Sequence, residues 1–108
     1  MSNLIKAGSI ISVTGKKWFD NGAGNTYFRA LIQVDGEIVA KLPFQYGYGD
    51  HYLDESTAWL AENDYIENPR KSNGSRTPLW LYCEKNNIRL DYSSYDVKTQ
   101  NRCKSSQF

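Results

Sequence analysis

The chain has little of what builds metal centres, disulfide scaffolds or catalytic relays: two cysteines, one histidine and one methionine in 108 residues. Cys83 and Cys103 are too few for a disulfide framework and stand in no CxxC or Cys/His spacing. His51 has only scattered carboxylates around it in sequence, and no Ser or Cys has a defined base and orienting partner. No metal, cofactor or catalytic residue is therefore assigned, and an enzyme is not expected. Neither GxxxxGK[ST] nor GxGxxG occurs, which excludes the standard phosphate-cradling loops. No apolar run approaches the ~18 residues of a membrane span, and Met1-Ser2-Asn3-Leu4 does not open a signal peptide. The expectation is a cytoplasmic protein with no membrane role and reduced thiols. A net charge of +1 lacks both the basic excess of a duplex-DNA binder and the acidity of a DNA mimic.

What is present suffices for one core. Hydrophobic residues are 40% and aromatics 14% of a chain of ordinary single-domain length. Charge is segregated along it. Residues 1–41 carry five Lys/Arg and three Asp/Glu, residues 42–69 carry six acids and no base, and residues 70–108 carry eight bases and three acids. A solvated helix face and a solubilising tail are the plain explanation; steering of a charged partner is the functional one.

Ser9–Thr14 is β-branched and partly alternating, and reads as a first strand that continues toward Phe19. A loop rich in Gly, Asn and Asp follows at 20–25, then strands over Thr26–Gln33 and Glu37–Leu42. A three-residue Val34-Asp35-Gly36 turn pairs Gln33 with Glu37. It sets Phe28, Ala30, Ile32, Ile38, Ala40 and Leu42 on one face, a better hydrophobic match than a two-residue Asp35-Gly36 turn gives. Asp50 is placed as an N-cap, with a helix from His51 to about Asn63 and a stripe of Leu53, Thr57, Leu60 and Ala61 flanked by Tyr52 and Trp59. A loop spans 68–76. Thr77-Pro78 then starts a short helix over Leu79–Lys85, ended by Asn86-Asn87. Ile88–Tyr92 alternates as a last strand that extends toward Val97. The fold class expected is α+β: a small antiparallel sheet of about four strands, in the order β-β-β-α-α-β, with helices on one face. Residues 1–98 form the single domain, and 99–108 a polar basic tail expected to be flexible, with Cys103 at the surface.

The segment Phe44–Tyr52 concentrates four aromatic rings, two glycines, a carboxylate and the histidine. Glycines at 47 and 49 admit positive φ or close backbone approach, and the tyrosines offer flat apolar faces with polar tips. A crossover packed under the sheet explains such a segment as well as a recognition surface does. The candidate binding residues are Tyr46, Tyr48, Asp50, His51 and Tyr52, with Trp18 as an outlying anchor. Burial of Tyr46 and Tyr48 would leave only the packing explanation. Lys16, Lys17 and Arg29, with Trp18 and Lys41, offer a second, basic-aromatic surface suited to anions such as a nucleotide or single-stranded nucleic acid. Paired lysines on an edge strand also serve against aggregation.

Lys17-Trp18-Phe19-Asp20, Gly24-Asn25-Thr26-Tyr27-Phe28, Val34-Asp35-Gly36-Glu37 and Pro43-Phe44 with Tyr46-Gly47-Tyr48-Gly49-Asp50-His51-Tyr52-Leu53 resemble a group of small accessory proteins of tailed bacteriophages. Leu81–Ile88, Tyr92-Ser93 and Asp96-Val97-Lys98 extend the resemblance, which covers most of residues 17–98. It implies a phage origin and a life in the cytoplasm of the infected bacterium. It further implies a non-enzymatic factor that binds and disables a host protein or complex, such as a defence system. It carries over no catalytic residue. The alternative is a nucleotide or single-stranded nucleic-acid binder that stacks bases on the same tyrosines.

Overall fold

The computed structural model describes residues 5–67 and 78–108. The elements are β1 (Ile10–Asp20), β2 (Asn25–Val34), β3 (Glu37–Lys41), β4 (Gln45–Tyr46), α1 (His51–Glu62), α2 (Leu79–Lys85), β5 (Arg89–Val97) and α3 (Gln100–Lys104). The loop expected at 68–76 and the capping role of Thr77 lie outside the described residues.

β1 and β2 form a long antiparallel hairpin running from Ile11↔Val34 to Asp20↔Asn25. Its turn is closed by Asp20, whose Oδ1 accepts from the amides of Gly22 and Ala23 at 3.0 and 3.3 Å. The sheet order is β3-β2-β1-β5, with β4 pairing the early part of β2. The α+β class and the small sheet are as expected. One pairing differs: β5 runs parallel to β1, from Ile10↔Arg89 to Trp18↔Val97, so the sheet is mixed and not purely antiparallel. Parallel neighbours require a crossover, and the chain between β4 and β5, carrying α1 and α2, provides one.

The β2–β3 register also departs from expectation. Val34 pairs with Glu37 and Gln33 with Ile38, so the turn is the two-residue Asp35-Gly36, with φ of 51° and 85°. Both signs are those of a type I′ turn. The ladder then shifts between Ile32 and Gln33, so that Ile32 pairs with Ala40. That irregularity restores Ala40 to the core side, whereas Ile38, opposite Gln33, is left exposed. The hydrophobic match is met by a bulge and not by a longer turn.

One face of the sheet carries the core. Ile11 and Val13 of β1, Phe28, Ala30 and Ile32 of β2, and Leu42 pack with Tyr52, Leu60 and Ile66, and with Leu79, Cys83 and Ile88 from α2 and its exit. Each large apolar side chain fully buried here stabilises the fold by about 1.5–3 kcal/mol. The buried stripe of α1 is Tyr52-Ser56-Leu60 with Thr57, rotated from the expected Leu53-Thr57-Leu60-Ala61 line. Its hydroxyls are satisfied within the helix: Ser56 donates to Tyr52 O and Thr57 to Leu53 O, both at 2.7 Å. Asn87, at φ 55°, ends α2 in the left-handed conformation expected of it.

The opposite face is covered by residues 99–108, expected from sequence to be a flexible tail. Thr99 accepts from the Arg102 amide at 3.2 Å and caps α3. Cys103, expected at the surface, is fully buried, its thiol directed at the carbonyls of Lys16 and Tyr27. Alternation along β1 proves the sidedness. A Cβ on Gly15 would strike Tyr52 of α1, while its neighbour Lys16 bonds to the chain after α3. Helices therefore lie on both faces, α1 and α2 on one and α3 on the other.

Candidate functional site

The Phe44–Tyr52 segment divides between two environments. Tyr46 pairs with Tyr27 through β4, and the Gly47 amide donates to Thr26 O at 3.0 Å, so the segment is anchored to the rim of the sheet. Gly47 is there because nothing larger fits: a Cβ would lie 2.5 Å from His51 Cδ2 and 2.7 Å from Phe28 Cε1. Gly49, at φ 60°, turns the chain into α1. Asp50 stands at the N-cap position, but its side chain makes no capping bond.

Tyr46 and Tyr48 are 55% and 72% exposed, so neither ring belongs to the core. They border an open pocket of about 410 Å³ whose other walls are Gly47, Gly49, Asp50, His51 and Asp54. His51 is half-buried and edge-on to Phe28, with centroids 5.8 Å apart. Its Nε2 is 3.3 Å from Glu55 Oε1 and its Nδ1 3.9 Å from Asp54 Oδ2. The pocket is thus aromatic on one side and acidic on the other. Among the described residues, no Lys or Arg lines it.

Tyr52 does not belong to this surface. It is 2% exposed, set under Gly15 of β1, and its hydroxyl is held above its ordinary pKa, first by burial and then by Asp50. Helix geometry explains the correction, since consecutive residues of the first turn of α1 point about 100° apart. Trp18 also lies elsewhere, stacked on Tyr27 at 5.8 Å on the α3 side of the sheet. Tyr27 links the two regions. It stacks on Phe44 at 5.1 Å and meets Tyr46 edge-on at 5.8 Å. Sequence alone assigns Tyr27 no role, because its place opposite Trp18 depends on the β1–β2 register.

The basic candidates separate as well. Lys17 faces α1, with its Nζ 5.3 Å from the Tyr52 ring centroid. Lys16 and Arg29 are cross-strand partners on the α3 side, and Lys41 joins them there from β3. Lys16 is 1% exposed and donates to Ser105 O and Gln107 O at 2.6 and 2.7 Å. Burial above all, with Arg29, Lys41 and Arg102 nearby, holds its pKa below the ordinary lysine value, although Cys103 acts in the other sense. Among the described residues, none of the close ion pairs involves Lys16, Arg29 or Lys41.

Cys83 is buried on α2, as expected of a core residue, and burial pushes its thiol up to about 11. No helix of the described residues is long and apolar enough to cross a membrane. The chain matches no protein-family model, and no curated protein or solved structure shows a significant match to it.

Proposed function

We propose that the protein is a non-enzymatic accessory factor of phage type that acts in the cytoplasm of the infected bacterium by docking on a host protein through Tyr46 and Tyr48. The observation that carries this reading is the exposure of both rings around one pocket walled by Asp50, His51 and Asp54. Rigid tyrosines supply contact area at small entropic cost and are enriched in binding hot spots. The carboxylates of Asp50 and Asp54 favour a partner that presents Lys or Arg between them and a neutral surface to the rings. They also disfavour the alternative of a nucleotide stacked on these tyrosines, because its phosphates would meet two acids and, among the described residues, no Lys or Arg. Sequence resemblance supports the host-directed role.

Affinity capture from infected bacterial lysate tests this directly, with Tyr46→Ala/Tyr48→Ala beside the wild type. The double variant keeps the fold, because both rings are largely outside the core, and it loses the specific partner. Equal recovery of the same host proteins by both baits removes the site.

A further inference from the structure

The face of the sheet opposite α1 carries an arrangement that the proposed docking surface does not use. Lys16 and Arg29 are paired across β1 and β2, and Lys41 of β3, the register partner of Leu31, lies diagonal to Arg29, so the three cations cross three adjacent strands. Beside them, toward the other end of the same strands, Trp18, Tyr27 and Phe44 form a stacked ladder. Cations next to aromatic rings on a flat sheet are the two components that single-stranded nucleic acid requires, one for phosphates and one for bases.

Lys16 is buried without the carboxylate partner that a buried charge usually has, while Arg29 is half-buried and Lys41 exposed. No carboxylate of the described residues lies within ion-pair distance of Lys16, Arg29 or Lys41. Apart from Arg29 Nε, which donates to Leu42 O at 2.9 Å, and a 3.5 Å contact of Arg29 Nη1 with Ser106 Oγ, their partners are main-chain carbonyls of residues 104–107. Arg29 Nη1 donates to Lys104 O at 3.1 Å and Ser105 O at 3.0 Å, and Lys41 Nζ donates to Ser106 O at 2.9 Å. With the two bonds from Lys16, the segment presents a string of oxygens to a string of cations, as a phosphodiester backbone would. Phe108 completes the cover, its ring centroid 4.6 Å from Lys16 Nζ and 5.8 Å from the Arg29 guanidinium carbon. Lys104 lies over Phe44 in the same manner, at 5.1 Å. Neutral carbonyls are weaker partners for a desolvated ammonium than anionic oxygens are. A pocket of about 560 Å³ opens beside the strap, lined by Lys16, Tyr95, Arg102 and Phe108.

The geometry points to this face as a binding site for single-stranded nucleic acid, with residues 104–108 as a built-in competitor that phosphates displace. The site meets the tyrosine pocket through the Tyr27–Tyr46 contact but does not include its acids, which would repel the same ligand. Single strands are favoured over duplex because the bases of a duplex are paired and stacked on one another, which leaves no free base to stack on the rings.

Fluorescence anisotropy with a labelled oligothymidylate of about 12 nucleotides tests it on the full chain. Binding is expected at low salt, with a log–log salt slope of about −3 if Lys16, Arg29, Lys41 and Arg102 each meet one phosphate. Lys41→Gln weakens binding and reduces that slope by about 0.7. Phe108→Ala tightens binding roughly two- to five-fold, because the ring holds the strap over the cations. Amide exchange at residues 105–108 accelerates on binding while residues 48–52 stay unchanged. Absence of binding overturns the proposal, as does an equal affinity for duplex or for poly-glutamate. Protection at 48–52, or an unchanged or weaker Phe108→Ala complex, overturns it too. None of these outcomes depends on whether Tyr46 and Tyr48 capture a host protein.

Discussion

Gly15→Ala decides whether Tyr52 is a structural residue or part of a recognition surface. Gly15 is in the middle of β1, where its backbone is not in the left-handed region, so alanine meets no conformational strain there. By propensity alone the substitution would stabilise the protein by about 0.4–1 kcal/mol, chiefly by restricting the unfolded chain. The packing opposes this. The new methyl would lie 2.8 Å from Tyr52 Cγ, 2.9 Å from Cδ2 and 3.1 Å from Cδ1. These atoms are at the root of the ring and not at its flexible end, and the ring is buried. Overpacking of this kind costs about 1–3 kcal/mol, which wins over the propensity gain. For a domain of this size the loss lowers Tm by roughly 5–20 °C. Thermal unfolding followed by circular dichroism reads it. In a Tyr52→Ala background the same change is neutral or stabilising, a sign reversal that a double-mutant cycle records. A Gly15→Ala protein as stable as the wild type would refute the packing and return Tyr52 to the surface.

Local chemistry made much of the fold legible. The β1–β2–β3 meander, α1, α2 and β5 were readable because each is carried by alternation, a turn pair or a cap within a few residues. Non-local events were not. β4 spans only Gln45-Tyr46 and has no periodicity to detect, and the direction of β5 depends on a crossover whose path sequence does not encode locally. In the candidate site, sequence left Tyr46 and Tyr48 open between a packed crossover and an exposed surface, which their exposure decides, and Tyr52 was grouped with them by adjacency. A signal was present: a glycine inside a strand between Thr14 and Lys16 marks a close approach by another group, here the Tyr52 ring. The same alternation separates Lys16 from Lys17, which adjacency had joined. The α3 region was hidden by composition. Thr99 with three intervening polar residues before Cys103 is a cap and one buried thiol, too short a pattern to stand out from a basic tail.

Two further outcomes follow from the same packing. Gly47→Ala drives a Cβ against His51 and Phe28, and is expected to destabilise by about 1–3 kcal/mol while disturbing the tyrosine pocket. Chemical denaturation checks the first effect, and an unchanged midpoint would mean that β4 does not hold Gly47 where it is described. Cys83 links stability to alkaline pH. Its thiol ordinarily titrates near 9.0 and is pushed up to about 11 by burial in the fold, so below pH 9 both states keep the proton and nothing is lost. Above pH 9 the unfolded chain releases its proton first, the folded chain binds more protons, and stability falls until about pH 11. A shift of this size corresponds to about 2–3 kcal/mol by pH 11. Lys16 contributes the opposite slope, because its depressed folded pKa makes the buried charge easier to lose as pH approaches 10.5. The difference between wild type and Cys83→Ala isolates the thiol: urea unfolding at pH 8 and pH 10.5 should show the variant losing less stability over that interval, and parallel losses would mean that Cys83 is not held in the apolar core between α2 and the sheet.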